Sequence, residues 1–396
     1  MARTYAYVRR QGVRDSARRG LHAAGRLRPI RLRKRRGVFD LDLHIAVVAD
    51  VRVALESRGV SLTEWNVSGH TWVFGRKREP VAIVNERTAE DFGPVMVDRF
   101  QRAYGSYLRT FRGYLATHTP CFSLLYRGLG GPTLAICSTR YEWPFTHDAE
   151  RWAWLDSMLA QGIDEGWLTL AANNRADADY LENYSGLKPA LIPSACSYIA
   201  PTYTGRKVAV VVSAPTEALA TTICDRLSHE AIPLRSGLGA RFTWAQLYDQ
   251  RAIVLIPFNV SIMSLFEHYS ACAPIYVPER TFLKHLAATE PGVLGTLSFS
   301  NLHGRPAVPP RRPGALDLNE VRDEQVMDWY LDRADFYDTE WMPRIRQFES
   351  WSHLDHLLAT DDPHAISQEM ASERPARLAR IDALWDQLNW MNRISG

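Results

Sequence analysis

The chain reads as an α/β protein built from two successive parallel-sheet units, and three observations predict this. Short apolar segments of four to seven residues alternate with helical segments from residue 38 to about 190, and the same alternation restarts near residue 206. A stretch of small residues and prolines, Ile192-Pro193-Ser194 through Thr204-Gly205, separates the two runs. With 396 residues the chain exceeds what one core usually holds.

The elements follow in order. Val38 to His44 alternates apolar and polar side chains and predicts a strand, and Ala46 to Arg58 predicts a helix stopped by Gly59. Leu62 to Val67 predicts a second strand, ending in Ser68-Gly69-His70. Further strands are expected at Val81–Val84, Gly113–Ala116, Thr133–Cys137 and Leu168–Ala171, with helices over Val95–Arg109, Cys121–Arg127 and Ala149–Gln161. The second run offers strands at Lys207–Val212, Ala252–Pro257 and Pro274–Val277, with helices over Thr216–His229 and Ile262–Ala271. Residues 304–314 are rich in proline, and the segment from Leu316 is helical and carries Trp329, Trp341, Trp351, Trp385 and Trp390. The expected organisation is a basic leader over 1–37, an α/β domain over 38–200, a second over 201–310 and a helical segment over 311–396.

Composition narrows the function classes. A hydrophobic content of 46% excludes a largely disordered chain, and no charge-free apolar run is long enough for a membrane span. The N-terminus is basic without an apolar core behind it, so no secretory signal is expected. The net charge of +3 conceals an asymmetry, because residues 1–37 hold 13 Lys or Arg against the single acid Asp15. The rest of the chain is therefore acidic. Such a leader suits an anionic membrane surface, a packed or solvated tail, or, more weakly, nucleic acid. The five cysteines are scattered without a CxxC pair, which argues against a disulfide framework or a zinc cluster and for a cytoplasmic location, with the leader allowing peripheral contact at the inner membrane face.

Ligands of open parallel sheets bind beyond the carboxyl ends of the strands. Those ends here supply Asp42 and His44, Ser68 and His70, Thr117 and His118, Ser138, Arg140 and Glu142, and Asn173 with Asn174. Each also has a structural reading as a helix cap or turn residue. Asp42-x-His44 lacks a third metal ligand at a telling spacing, and His353-x-x-His356 lacks the glutamate of a zinc-protease motif, so no metal is expected. Gly-x-Ser-x-Gly, Walker and Gly-x-Gly-x-x-Gly motifs are absent from the sequence.

The most informative stretch is Ile253 to Pro278, in which a buried strand enters a polar loop with Asn259 and Ser261. A helix then begins near Ser264, bearing Glu267 in its first turn, and a second strand follows. This pattern resembles the donor half of GT-B-fold glycosyltransferases, the exostosin-like and related inverting enzymes. The resemblance implies two Rossmann-like domains facing a cleft, with C-terminal helices crossing back to the first. It also implies a nucleotide-sugar donor and transfer with inversion to an acceptor hydroxyl. A membrane-resting leader suits a glycan or lipid-linked acceptor, and with helix dipoles and Arg side chains neutralising the diphosphate neither cofactor nor metal is expected. Glu267 would take the ribose hydroxyls, while Asn259, Ser261 and Ser264, with Ser213 nearby, would approach the phosphates. Arg140, Arg241 and Lys207 are candidate cations for the leaving group, Arg140 alternatively bridging to Glu142. Asp42, His44 and His70 are the candidate bases, and His118, Ser138, Arg140 and Glu142 the other cleft residues. The glycine-rich loop that many relatives carry after the first strand is replaced by Asp42-Leu43-His44. Other readings remain open: a nucleotide-sugar epimerase or polyol-phosphate transferase of the same fold, or a binding protein that uses its leader.

Overall fold

Residues 38–42 leave almost nothing to solvent, and this burial on both faces places them inside a parallel sheet. In the computed structural model they lie in β1 (Arg36–Asp42). The structure describes residues 36–68, 74, 81–85, 87–239, 241–298, 304–310 and 312–395; the leader expectation and His70 lie outside them.

Helix α1 (Ile45–Glu56) returns the chain to β2 (Leu62–Asn66). Then α2 (Pro94–Leu108), β3 (Phe111–Ala116), β4 (Thr133–Cys137), α3 (Ala149–Asp164), β5 (Leu168–Ala172), α4 (Arg175–Ser185) and β6 (Ala190–Leu191) complete the first sheet. Its order is β2-β1-β3-β4-β5-β6, with every pair parallel. The direction of winding reverses between β1 and β3, so a crevice opens at their carboxyl ends.

The second sheet is built from β7 (Val210–Ser213), α5 (Glu217–Arg226), β8 (Ala231–Pro233), α6 (Leu234–Leu238), α7 (Trp244–Tyr248), β9 (Ala252–Leu255), α8 (Met263–Ser270) and β10 (Ile275–Pro278). Beyond α9 (Arg280–Thr289) and α10 (Glu324–Leu331), β11 (Arg346–Phe348) joins its edge. The order is β11-β10-β9-β7-β8, again parallel throughout, with the reversal between β7 and β9. Two Rossmann-like α/β sheets are therefore present.

After β11 the chain runs through α11 (Trp351–Thr360) and the 25-residue α12 (Pro363–Gln387) to α13 (Asn389–Ser395). These last segments return to the first sheet. Trp385, Trp390, Met391 and Ile394 pack with Val38, Leu115 and Leu134 of the strands and Val47, Val48 and Val51 of α1. The Trp390 indole N–H donates to the Pro132 carbonyl at 3.2 Å. Gly113 admits this approach, since a Cβ there would stand 2.7 Å from Ile394 Cγ2. The C-terminal helices cross back as the resemblance implied.

Several elements differ from the sequence expectation. Residues 81–84 form bends, not a strand, because Asn85 donates from its amide to the carbonyls of Val81 and Ala82 while the Thr88 hydroxyl takes that of Ile83. Acceptors needed for a ladder are thereby used locally. Pro120–Tyr126 is a wholly buried 3₁₀ segment where a helix over Cys121–Arg127 was expected. Helices α4 and α9 and the two- and three-residue edge strands β6, β8 and β11 were not anticipated, the strands being too short to show a period. All five cysteines are unpaired.

Because Trp390 is fully buried in the seam between the returning helices and the first sheet, Trp390→Ala should lower stability by about 3–5 kcal/mol. Chemical denaturation followed by circular dichroism checks this, and an unchanged midpoint would show that the return is not part of the first core.

Candidate active site

The strand order decides where chemistry can collect. Asp42 and His44 end β1, while Thr117 and His118 follow β3, so these four residues share the switch-point crevice of the first sheet. Asp42 is fully buried and takes a hydrogen bond from the Thr117 hydroxyl. Burial pushes its carboxyl up to about 7, against the opposing pull of Thr117 and of the His44 and Leu43 amides. Its other oxygen meets no donor among the described residues. Asp42 is thus shielded from solvent, whereas His44 and His118 are half-buried.

Two residues along β1 on the same face, Asp40 is also fully buried, and neither of its oxygens has a hydrogen-bond partner among the described residues. Burial and then repulsion from Asp42 hold it well above the usual carboxylate range. Sequence reading passed over Asp40 as an ordinary polar position of an alternating strand, although a strand buried on both faces makes any acid in it exceptional.

His44 and His118 stand with ring centroids 6.0 Å apart. Burial, and next the neighbouring His44, push the His118 imidazole down to about 3, so it is neutral in the physiological range. His118 meets Trp143 edge to face at 5.2 Å, and Ser138 donates to the Thr117 carbonyl at 2.9 Å. The two histidines, Thr117 and Ser138 thus form one cluster, which the spacing of His44 and His118 in sequence could not show.

Arg140 occupies a different place from the one expected. It is 1% exposed and pairs with Asp177 of α4; the expected bridge to Glu142 is not made. Its Nε donates to the Leu297 carbonyl at 2.8 Å and its Nη2 to Asn259 Oδ1 at 3.2 Å. The Tyr180 and Tyr330 rings flank the guanidinium at 5.1 and 5.2 Å. It is committed to internal partners and does not face a ligand site as a free cation. Glu142, likewise buried, is pushed up to about 7 by desolvation and accepts from the Tyr180 hydroxyl at 3.2 Å.

In the second sheet, Ser213 ends β7 and the loop with Asn259 and Ser261 follows β9, so both reach the second switch point. Asn259 is held by Arg140 and by its own amide on Thr296, at 2.9 Å to the carbonyl oxygen. Ser261 and Ser264 are half-buried at the start of α8, whose first residue is Met263, so Glu267 sits a full turn into the helix. Glu267 accepts a 2.6 Å hydrogen bond from Tyr198, and burial pushes its carboxyl up to about 7. The Tyr198 ring packs with Phe74 and Trp244 at 5.5 and 5.8 Å. Arg241 is exposed on the turn before α7. Lys207 precedes β7 and so lies at the amino end of the strand, which removes it from the candidate cations.

The carboxyl edges of the two sheets meet. Arg140 after β4 contacts Asn259 after β9, and Asn173 after β5 places its amide 3.3 Å from the sulfur of Met263 in α8. Among the described residues, no three His, Cys, Asp or Glu side chains are grouped to hold a metal ion, and no helix is long and apolar enough to cross a membrane.

The chain is similar to solved glycosyltransferases. One is the glycotransferase of kitacinnamycin, with 12% identity and a TM-score of 0.42 over 89% of this chain and 99% of that one. Another is SnogD from Streptomyces nogalater, with 12% identity and a TM-score of 0.42 over 88% of this chain and 99% of that one. A third is the calicheamicin glycosyltransferase CalG4, with 11% identity and a TM-score of 0.38 over 88% and 99%. No protein-family model and no curated protein matches the chain.

Two predictions follow from the buried charges. Arg140→Met should cost about 3–5 kcal/mol by leaving Asp177 buried and unpaired, and adding Asp177→Leu should restore most of it. Denaturation midpoints of the single and double variants test this, and additive losses would show that the pair is not coupled. For Asp40 the folded state keeps its proton to a higher pH than the unfolded state does. The acid form therefore stabilises the fold below the unfolded pKa, and that contribution is lost as pH rises toward the folded one. Relative to wild type, Asp40→Asn should gain stability as pH rises above about 4, by up to about 1.4 kcal/mol per pH unit. A pH series of denaturation midpoints measures it; a constant difference between the two proteins would mean that Asp40 titrates normally.

Proposed function

We propose that this chain transfers a glycosyl group from a nucleotide-sugar donor, bound at the second sheet, to a hydroxyl of a glycan or lipid-linked acceptor held at the first. The observation that carries this reading is the meeting of two switch-point crevices along one seam, one bearing a pair of histidines and the other a helix start suited to an anion. Transfer needs a donor and an acceptor brought face to face, and two crevices on a shared seam provide that.

In this scheme the acceptor oxygen attacks the anomeric carbon from the face opposite the nucleotide. The carbon–oxygen bond to the diphosphate breaks, the new glycosidic bond forms with inversion, and the acceptor proton passes to His44. His118, held neutral, leaves room for one positive charge on the pair. The departing diphosphate is stabilised by the amides at the start of α8, with Ser261 and Ser264 beside them, and needs no metal. Glu267 takes the ribose diol in place of the Tyr198 hydroxyl. Asp42 acts through position, fixing the turn that carries His44. The 13 basic residues of the leader suit a lipid-linked acceptor at an anionic membrane surface.

Thermal stability with UDP, GDP, CDP, ADP and dTDP tests the donor half. A nucleotide at about 100 times its dissociation constant adds about 2.7 kcal/mol, and Glu267→Gln should abolish the shift. His44→Ala should keep the shift while lowering acceptor-dependent release of nucleoside diphosphate by at least about 100-fold. No shift with any of the five would overturn the proposal. Donor turnover that needs no acceptor would point to an epimerase.

A further inference from the structure

A concavity lies next to the histidine crevice, the Trp143 side chain lining it and also meeting the His118 ring. It encloses about 410 Å³, and its lining includes Glu90, Asp91, Trp143, His147, Asp148, Arg151 and Arg305, with Pro144 and Thr146 beside them. That volume falls in the range of about 300–1,000 Å³ seen for small-molecule sites. Its lining is unusual for such a site, because beside the Trp143 indole most of it is polar or charged.

The charged groups divide by how they are used. Arg151 is committed to the wall: its Nε donates to Asp148 at 2.8 Å and its Nη1 to the Glu90 carbonyl at 2.9 Å. Asp148 in turn caps α3, accepting from the Arg151 amide at 3.0 Å. These bonds tie the 3₁₀ turn Ala89–Asp91 to the start of α3 and fix the shape of the cavity. The carboxylates of Glu90 and Asp91, which are exposed, and the exposed guanidinium of Arg305 remain to meet a ligand.

Carboxylates paired with a guanidinium suit vicinal hydroxyls, which both donate and accept, and an indole face suits the C–H face of a pyranose ring. Beyond the paired Arg151 and Asp148, two carboxylates outnumber one guanidinium, which disfavours an anion, and the charged walls disfavour a flat apolar molecule. Trp143 joins this cavity to the reaction centre, since the same indole lies 5.2 Å from the His118 ring. We infer that this cavity binds a saccharide, neutral or amine-bearing, whose reacting end passes Trp143 to reach His44. Its role as an acceptor subsite rests on the sugar-transfer reading above, whereas the saccharide binding itself does not.

The full chain, labelled and applied to a glycan array of neutral, amino and acidic mono- and oligosaccharides, tests the inference without any donor. Neutral or amino glycans should be retained, and uronate- and sialate-terminated ones should not. Trp143→Ala should weaken retention at least tenfold. Because that indole also packs on Phe122, the exposed pair Glu90→Gln with Asp91→Asn provides a second test, expected to weaken retention similarly at an unchanged melting temperature. Retention of no glycan, a preference for acidic glycans, or retention indifferent to the exposed pair would each overturn the inference. Nucleoside diphosphate binding, measured on the same preparation, separates the two readings. Saccharide retention without nucleotide binding removes sugar transfer and keeps the site; nucleotide binding without saccharide retention does the reverse.

Discussion

The meeting of the two sheets depends on one buried ion pair. Arg140 leaves the first sheet after β4, is neutralised by Asp177 from α4, and reaches the second half through the Leu297 carbonyl and the Asn259 side chain. A guanidinium buried this deeply tolerates little displacement, because any movement strands a charge away from water. The distance between the sheets at this end of the seam is therefore set by hydrogen bonds of fixed length. Tyr180 and Tyr330, on α4 and α10, close over its two sides, so three parts of the chain converge on one side chain.

A different economy governs the other end of the seam. There the polar groups outnumber their partners: Asp40 and Asp42 lie buried along one face of β1, and two histidines share the crevice. Burial lifts the carboxyls and depresses His118, so the group as a whole carries less charge than its composition suggests. One end of the seam is held by a satisfied pair, while at the other burial biases Asp40, Asp42 and His118 toward their uncharged forms.

Much of this architecture was legible in the sequence. The run Val38 to His44 and the stretch Ile253 to Pro278 announce parallel strands by their apolar content and by the small or polar residues that end them. The crevice residues Asp42, His44, His118 and Ser138 were reachable from strand ends alone. What sequence could not convey was partnership. Arg140 reads as an available cation until Asp177, 37 positions on, is seen to claim it, and the spacing Asn174-x-x-Asp177, a helix cap, was the only local sign of that acid's place. Lys207 reads as near the ligand until the strand direction places it at the far edge. Residues 81–84 have the apolar content of a strand, and a single asparagine side chain turns them into bends. Local pattern specifies elements; side-chain competition and long-range pairing decide their use.

The return of α13 to the first sheet has a consequence for how the molecule is made. The apolar face formed by Val38, Leu115 and Leu134 packs with α1 and completes its cover with residues 381–394, so the earliest strands to leave the ribosome wait for the last helix to be fully covered. At about 5–20 residues per second, the stretch from the end of the first sheet to that helix takes on the order of ten to forty seconds to synthesise. During that interval the nascent first half presents a partly uncovered greasy surface, a natural target for a chaperone that recognises exposed hydrocarbon. The molecule completes its beginning last.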